Sequence, residues 1–208
     1  MHTKKAIIIG SGVGGMAIAI RLALQGFAVE VYEKNDRPGG KLSAFEKDGF
    51  VFDAGPSLFT QPQNIVELFM LAQEPMQTYF SFQPVDIACK YFYENGKVVQ
   101  AYTNAKLFAE ELKEQLNEKP EKLMAYLKES EKIYDSIGTI FLSNSLHKRK
   151  TWFNKRIWPA LKTLQPGYLF STLNQHNSKH FTSPEAAQLF NRFATYSGSN
   201  PYIQSTAL

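Results

Sequence analysis

Lys5-Ala6-Ile7-Ile8-Ile9-Gly10-Ser11-Gly12-Val13-Gly14-Gly15 is the stretch on which the fold turns. Residues 5 to 9 form a short apolar run that stops at a glycine, the pattern of a strand buried in a parallel sheet. Glycines at 10, 12 and 15 match G-x-G-x-x-G. Gly10 permits a tight turn out of the strand, a side chain at Gly12 would keep a pyrophosphate off the backbone, and Gly15 lets the next helix pack on the strand. That helix covers residues 14 to 25, rich in Ala, Ile and Leu, with Gly26 as its left-handed stop. Val29-Glu30-Val31-Tyr32 then reads as a second strand. Strand, glycine loop, helix and strand within about 30 residues form a mononucleotide-binding βαβ unit. A pyrophosphate sits at the helix N-terminus, where free N–H groups and the dipole favour an anion, so Gly10, Gly12, Val13 and Gly15 are candidate phosphate contacts. Glu33 ends the second strand and can accept both ribose hydroxyls of an adenosine. No arginine stands near Glu33 to receive a 2′-phosphate, which the carboxylate would repel. A tight βα turn beside a solvated glutamate is the bland alternative, and the agreement of so many elements weighs against it.

Outward from this unit, Asp36-Arg37-Pro38-Gly39-Gly40 breaks into a loop, Phe50-Val51-Phe52 suits a short strand, and Asp53-Ala54-Gly55-Pro56 suits a turn. Pro62 opens a helix running to residue 73. Ile87 to Tyr93 and Val98 to Tyr102 read as a hairpin with a type I′-like turn at Glu94-Asn95-Gly96-Lys97. Thr103 or Asn104 caps a helix to about Asn117, and Pro120 starts the next. In it Leu123, Leu127, Ser130, Tyr134, Ile137 and Phe141 recur at helical spacing and are expected on one buried face. Ser183-Pro184-Glu185 opens a last amphipathic helix, stopped by Ser197-Gly198-Ser199-Asn200-Pro201.

The 208 residues suffice for one large domain or two small ones, and 44% hydrophobic with 20% charged residues argues for a packed core. A net charge of +4 gives no general signature of nucleic-acid binding. The single cysteine, Cys89, cannot form an internal disulfide, which fits a reducing compartment, and reads as a small buried strand residue. Ala6-Ile7-Ile8-Ile9 is too short for a secretion signal, and no apolar run approaches the ~20 residues of a spanning helix. His176 and His180 stand four apart without acidic or cysteine company and read as surface residues; no metal site is expected.

Beyond the glycine loop, Ala6 to Lys41, with Ala19, Leu22, Gly26 and Glu33, resembles the flavoproteins that include amine oxidases, protoporphyrinogen oxidases and carotenoid desaturases. Their opening motif ends in Gly-Gly-Arg; here Lys41 replaces the arginine, keeping the charge and losing the bidentate fork. Gly49 to Thr60 and Leu189 to Tyr202 resemble bacterial phytoene-desaturase-type enzymes. Gly55-Pro56-Ser57-Leu58-Phe59-Thr60 and Phe141 to Lys148 are similar to the 1-hydroxycarotenoid 3,4-desaturases in particular. Such enzymes are well over twice as long, so the chain is expected to be an N-terminal portion, inactive alone because its flavin site is split. The resemblance implies an α/β fold: a Rossmann-like FAD-binding domain with a mostly parallel sheet over residues 1–80. An incomplete substrate and membrane-association domain, a mixed sheet plus helices, follows over 81–208. It further implies that Gly12, Gly15 and Glu33 hold the ADP half of FAD, that Gly40 and Lys41 neighbour it, and that the backbone of Pro56, Ser57 and Leu58 lies beside the flavin.

Dehydrogenation of a carotenoid C–C bond is the activity this implies. No side chain accepts a hydride, so the cofactor must, with oxygen or a quinone as final electron acceptor. No catalytic acid or base stands out; the segment from Leu142 to Lys150, where some carotenoid desaturases carry an acidic residue, has none. From His147 to Trp158 the chain holds five Lys or Arg and three aromatic rings. As a helix, Lys148 to Trp158 suits a lipid surface, and a solvated basic face with its tryptophans turned inward is the alternative. The expectation is a peripheral protein at the cytoplasmic face of the membrane. Two other readings stay open: a flavin oxidase acting on an amine or a porphyrinogen, and a prenyl-binding escort protein on the same fold without redox activity.

Overall fold

The computed structural model describes residues 4–56, 59–138, 145, 147–148, 168 and 170–204. The chain divides into two compact units, Met1–Gln83 and Pro84–Leu208.

In the first unit, strand β1 (Lys5–Ile9), helix α1 (Val13–Leu24) and strand β2 (Ala28–Tyr32) follow one another, and β1 and β2 pair in parallel with Ile7 opposite Glu30. Gly26 (φ +83) ends α1 as expected. Its N–H reaches the Ala23 carbonyl and that of Phe27 reaches Leu22, the paired bonds of a Schellman stop. Strands β3 (Ala44–Lys47) and β4 (Phe50–Asp53) form an antiparallel hairpin. Asp48 (φ +53) and Gly49 (φ +78) are both left-handed, so the two-residue loop is a type I′ turn. The Phe45 and Phe52 rings stack across it at 5.2 Å. Helices α2 (Gln63–Ala72) and α3 (Met76–Tyr79) complete the unit.

The mostly parallel sheet expected here is corrected to one parallel pair beside a separate antiparallel hairpin. Of the four strands in this unit only β1 and β2 have a helix between them among the described residues, and parallel pairing requires such a crossover. A two-residue turn makes β3 and β4 antiparallel.

The second unit opens with β5 (Ile87–Phe92) and β6 (Val98–Tyr102), an antiparallel pair where a mixed sheet was expected. Its turn also differs from expectation. Only Gly96 (φ +80) is left-handed; the Gly96 N–H donates to the Tyr93 carbonyl and the Tyr93 N–H to that of Lys97. Three loop residues with glycine last give a type I turn with a bulge, one residue longer than type I′. Helix α4 (Ala105–Leu116) starts at Asn104, whose side chain accepts from the Lys106 and Leu107 N–H groups, and ends at left-handed Asn117. Helix α5 (Pro120–Ile133) has proline in its first turn and passes into a π-helical turn, Tyr134–Gly138. Of its expected buried stripe, Leu123 is buried and Leu127 half-buried, whereas Ser130 and Tyr134 are exposed; Phe141 lies outside the described residues. Helices α6 (Leu173–His180) and α7 (Pro184–Asn191) and a 3₁₀ turn (Arg192–Ser197) follow.

Val99, Phe108, Leu112, Leu123, Leu189 and Phe190 sit in one apolar core drawn from β6, α4, α5 and α7. A polar ladder crosses it. The Tyr126 hydroxyl donates to Asn177 Oδ1 (2.9 Å), Asn177 Nδ2 to Asn191 Oδ1 (2.9 Å), and Asn191 Nδ2 to Asn174 Oδ1 (2.8 Å). Glu118, almost fully buried, accepts from the Thr182 and Ser183 N–H groups just before α7. Glu185 ties that helix to the β5–β6 turn, accepting from Lys97 Nζ and Asn95 Nδ2. His176 and His180 are half-buried around the Tyr126 ring, which corrects their reading as surface residues. Cys89 is half-buried on β5, and Arg192 Nη1 points to its sulfur at 3.6 Å while lying over the Tyr91 ring.

Candidate functional site

The site is built at the C-terminal end of β1. Gly10 (φ +94) turns the chain, its N–H held by the Tyr32 carbonyl at 2.7 Å. The glycines that follow do different work. A Cβ on Gly15 would stand 2.0 Å from the Gly10 carbonyl oxygen, so glycine there is required by the loop's own closure. Gly12 is extended (φ −67, ψ 172), and a Cβ on it would meet nothing within 4 Å. The protein's packing makes no demand for glycine at Gly12; the open space before it is where a phosphate group would approach. Gly12 begins α1 with no side-chain cap and no acidic residue in the first turn, leaving the N-terminal N–H groups free of a helical acceptor. Val13, the first helical residue, is exposed beside them.

A second glycine loop packs on the first. The Gly39 N–H donates to the Ser11 carbonyl at 2.9 Å, and Gly12 and Gly39 form a parallel bridge. A Cβ on Gly40 would lie 3.2 Å from the Gly12 Cα, and one on Gly55 would lie 2.5 Å from the Lys41 carbonyl oxygen. Gly12, Gly40, Lys41 and Gly55 are thus stacked through backbone contact. The Lys41 side chain is exposed, and no salt bridge involves it among the described residues. Pro56 is exposed; Ser57 and Leu58 lie outside the described residues.

Glu33 closes the site from β2. Its Oε2 accepts from the Ser11 N–H and hydroxyl, both at 2.8 Å, and its Oε1 from the Asn35 N–H (2.9 Å) and Nδ2 (2.8 Å). The Asn35 and Ser11 backbone N–H groups hold the carboxyl down at about 2, so it is ionised at neutral pH. A carboxylate offers about four acceptor positions, and four donors occupy them. A ribose diol binding there would have to displace the Ser11 hydroxyl and the Asn35 amide, the two side-chain donors among the four. Ser11, Asn35 and Gly39 are the site residues that motif reading missed. A serine inside the glycine loop and an asparagine two residues past the acid are the signals that were there to use.

An apolar cleft of about 550 Å³ lies between α1 and α2, lined by Val13, Ile20, Leu42, Phe59, Leu68 and Phe80 among others. Phe59, Phe80 and Phe82 meet edge to face or tilted at 5.3 to 5.8 Å. Its one charged lining residue, Glu74, accepts from the Tyr79 hydroxyl. The basic and aromatic segment reaches the described residues only at His147 and Lys148; its remainder, to Trp158, lies outside them. Among the described residues no helix is long and apolar enough to cross a membrane, and no cluster of His, Cys, Asp and Glu suits a metal ion.

Residues 13–207 match the family described as flavin containing amine oxidoreductase. A 1-hydroxycarotenoid 3,4-desaturase of Flavobacterium sp. (strain P99-3) is 44% identical over 96% of this chain and 41% of that protein. A 4,4'-diapolycopene oxygenase of Methylomonas sp is 31% identical over 96% of this chain and 40% of its own length. A redesigned putrescine oxidase of known structure superposes with a TM-score of 0.57 over 99% of this chain and 40% of that one, at 18% identity, a likeness of fold alone. The chain spans about two fifths of the length of the curated relatives it matches.

Proposed function

The chain belongs to the flavin-containing amine oxidoreductase family, with its α/β FAD-binding fold, and on that premise we propose that it is part of an FAD-dependent carotenoid desaturase. The reaction is dehydrogenation of a C–C bond in a polyene, 3,4-desaturation of a 1-hydroxycarotenoid. The observation that carries this reading is the pairing of an open Gly12 with an ionised Glu33 on either side of Ser11, in a chain 44% identical to a desaturase of that substrate.

In this reading the backbone around Gly10, Gly12, Val13 and Gly15 receives the pyrophosphate, and the N–H groups at the start of α1 meet its charge. Glu33 takes the adenosine ribose. Gly40 sets the spacing to the second loop, and Lys41 adds a positive charge nearby. Pro56, Ser57 and Leu58 line the flavin ring. When bound, FAD supplies the hydride acceptor that no side chain provides. The chain's own contribution is positioning and water exclusion: the apolar walls of α1 and α2 keep the site dry, and dryness strengthens every charge interaction inside it. No residue is assigned as acid or base. Oxygen or a quinone takes the electrons onward.

Residues 1–80 serve the cofactor. Residues 81–208 serve substrate and membrane, with Lys148 to Trp158 resting on anionic lipid at the cytoplasmic surface; each close cation adds about 1 kcal/mol. The test is an absorption spectrum of the purified full-length protein and of its heat-released supernatant, beside a Glu33→Ala variant. Flavin bands that weaken in the variant support the cofactor reading. A protein that takes up no flavin when FAD is added refutes it and favours a prenyl-binding escort.

A further inference from the structure

The acceptor positions of the Glu33 carboxylate are divided two and two. Oε2 takes the Ser11 N–H and hydroxyl, each at 2.8 Å. Oε1 takes the Asn35 N–H at 2.9 Å and Asn35 Nδ2 at 2.8 Å. One donor on each oxygen is a backbone group, fixed by the course of the chain. The other is a side chain that a ribose hydroxyl would have to replace. Ser11 and Asn35 are not equally free to make way.

Ser11 is held on several sides. It is only 6% exposed, its carbonyl accepts from the Gly39 N–H at 2.9 Å, and the neighbouring Gly12 is bridged to Gly39. A Cβ on Gly40 would lie 3.2 Å from the Gly12 Cα, so the second glycine loop packs tightly against this part of the first. A Ser11 hydroxyl turned away from Glu33 would stay buried without its acceptor, the costly case for a polar group. Asn35 is exposed, and it reaches Oε1 from the loop that follows β2. Its amide, turned outward, trades a bond to the carboxylate for bonds to water, and such an exchange costs little.

We propose that Asn35 sets the nucleotide affinity of this site: its amide holds the position on Oε1 that a ribose hydroxyl takes, and binding exchanges one for the other. The proposal rests on the reading of Glu33 as the acceptor of the adenosine ribose. The Ser11 and Asn35 backbone N–H groups and the Ser11 hydroxyl keep the carboxylate aimed during the exchange, so Glu33 itself need not move. Asn35 is therefore a competitor carried by the chain. It opposes the ribose instead of gripping it, and truncating it should tighten the binding of adenosine nucleotides. An asparagine that held the nucleotide would give the opposite sign.

The test titrates the full-length protein, stripped of nucleotide, with ADP and with 2′,3′-dideoxy-ADP by calorimetry. Asn35→Ala is expected to bind ADP about three- to tenfold more tightly than the parent. No gain is expected for the dideoxy analogue, which has no hydroxyl to place on Oε1. Ser11→Ala, which opens only the buried position, is expected to bind ADP no more tightly than the parent. A second readout needs no variant: the NMR signals of the Asn35 side-chain amide should exchange faster with water when ADP is added, and not when the analogue is. An Asn35→Ala variant that binds ADP as the parent does, or more weakly, overturns the proposal. So does an equal gain for both nucleotides, which would place the effect away from the ribose, and so does an Asn35 amide whose exchange ADP leaves unchanged. Because ADP carries no flavin, the two readings fail separately. The expected gain in a protein that takes up no FAD would sink the proposed function and leave this proposal standing, and normal FAD uptake without the gain would do the reverse.

Discussion

The two units spend their apolar residues in opposite ways. In Pro84–Leu208, Val99, Leu112, Leu123 and Leu189 are sealed inside one core that β6, α4, α5 and α7 close among themselves. In Met1–Gln83 only Ile8, Leu68 and Ser11 are buried among the described residues, while Ile7, Ile9, Phe50, Val51 and Met70 face outward. Composition does not explain the contrast, since α1 is more apolar than α4. The second unit packs its apolar faces on each other. The first leaves its apolar residues in the open, on one face of β1 and along the β3–β4 hairpin.

Truncating a leucine or isoleucine in each unit should give the largest difference. Leu123→Ala, at a fully buried site, is expected to cost about 2–5 kcal/mol in denaturant unfolding. Ile9→Ala in the same chain is expected to stay within about 0.5 kcal/mol. Equal losses would mean that the first unit owns a core after all. A finer cut separates two glycines of one loop. Gly15→Ala drives a methyl into the Gly10 carbonyl and is expected to destabilise by about 1–3 kcal/mol. Gly12→Ala is expected to leave unfolding unchanged yet weaken FAD binding by the full-length protein by about tenfold or more, read by flavin fluorescence titration. An alanine at Gly12 that binds FAD normally would remove the reason for the open space before it.

The smallest effect is one of pH. Hydrogen bonds from Ser183, Lys97 and Asn95 hold Glu185 at about 2, and those from Asn35 and Ser11 do the same for Glu33. A carboxyl whose folded value is depressed stabilises above its ordinary value of 4.5 and loses that contribution as pH falls toward 2. Stability should therefore decline from about pH 5 to pH 2, and Glu185→Gln should flatten the decline for the second unit. A variant whose pH profile matches the parent would show that these bonds add nothing.

How much of this was legible beforehand follows from how local each signal is. The βαβ unit was readable because a glycine loop, a helix stop at Gly26 and an acid at Glu33 each follow from a few neighbouring residues. The β3–β4 hairpin went unread although Asp48-Gly49 is a strong type I′ signal, because Phe50-Val51-Phe52 suggested a single short strand. Asn95-Gly96 carries the same kind of signal and made a different turn; the loop there is one residue longer, which places only Gly96 in the left-handed region. The stripe along α5 failed past Leu127 because helical spacing says which residues share a face and not whether anything covers it. His176 and His180 were misjudged for a related reason: nothing near them in sequence announces that Tyr126, some fifty positions earlier, packs between them. In the site, Gly12 and Glu33 could be found by motif. The competition of Ser11 and Asn35 for the same carboxylate oxygens could not.

The ladder from Tyr126 through Asn177 and Asn191 to Asn174 is directional, since Asn177 and Asn191 each accept with the oxygen and donate with the nitrogen, and Asn174 accepts at its end. Sliding α6 by one turn would break all three bonds together and strand buried amides, each at a cost of about 1–3 kcal/mol. The leucines and phenylalanines around it tolerate exchange for one another more readily, because apolar contacts are not keyed. Over evolutionary time the second unit is thus free to redraw its greasy interior while a short string of amides fixes which drawing is allowed.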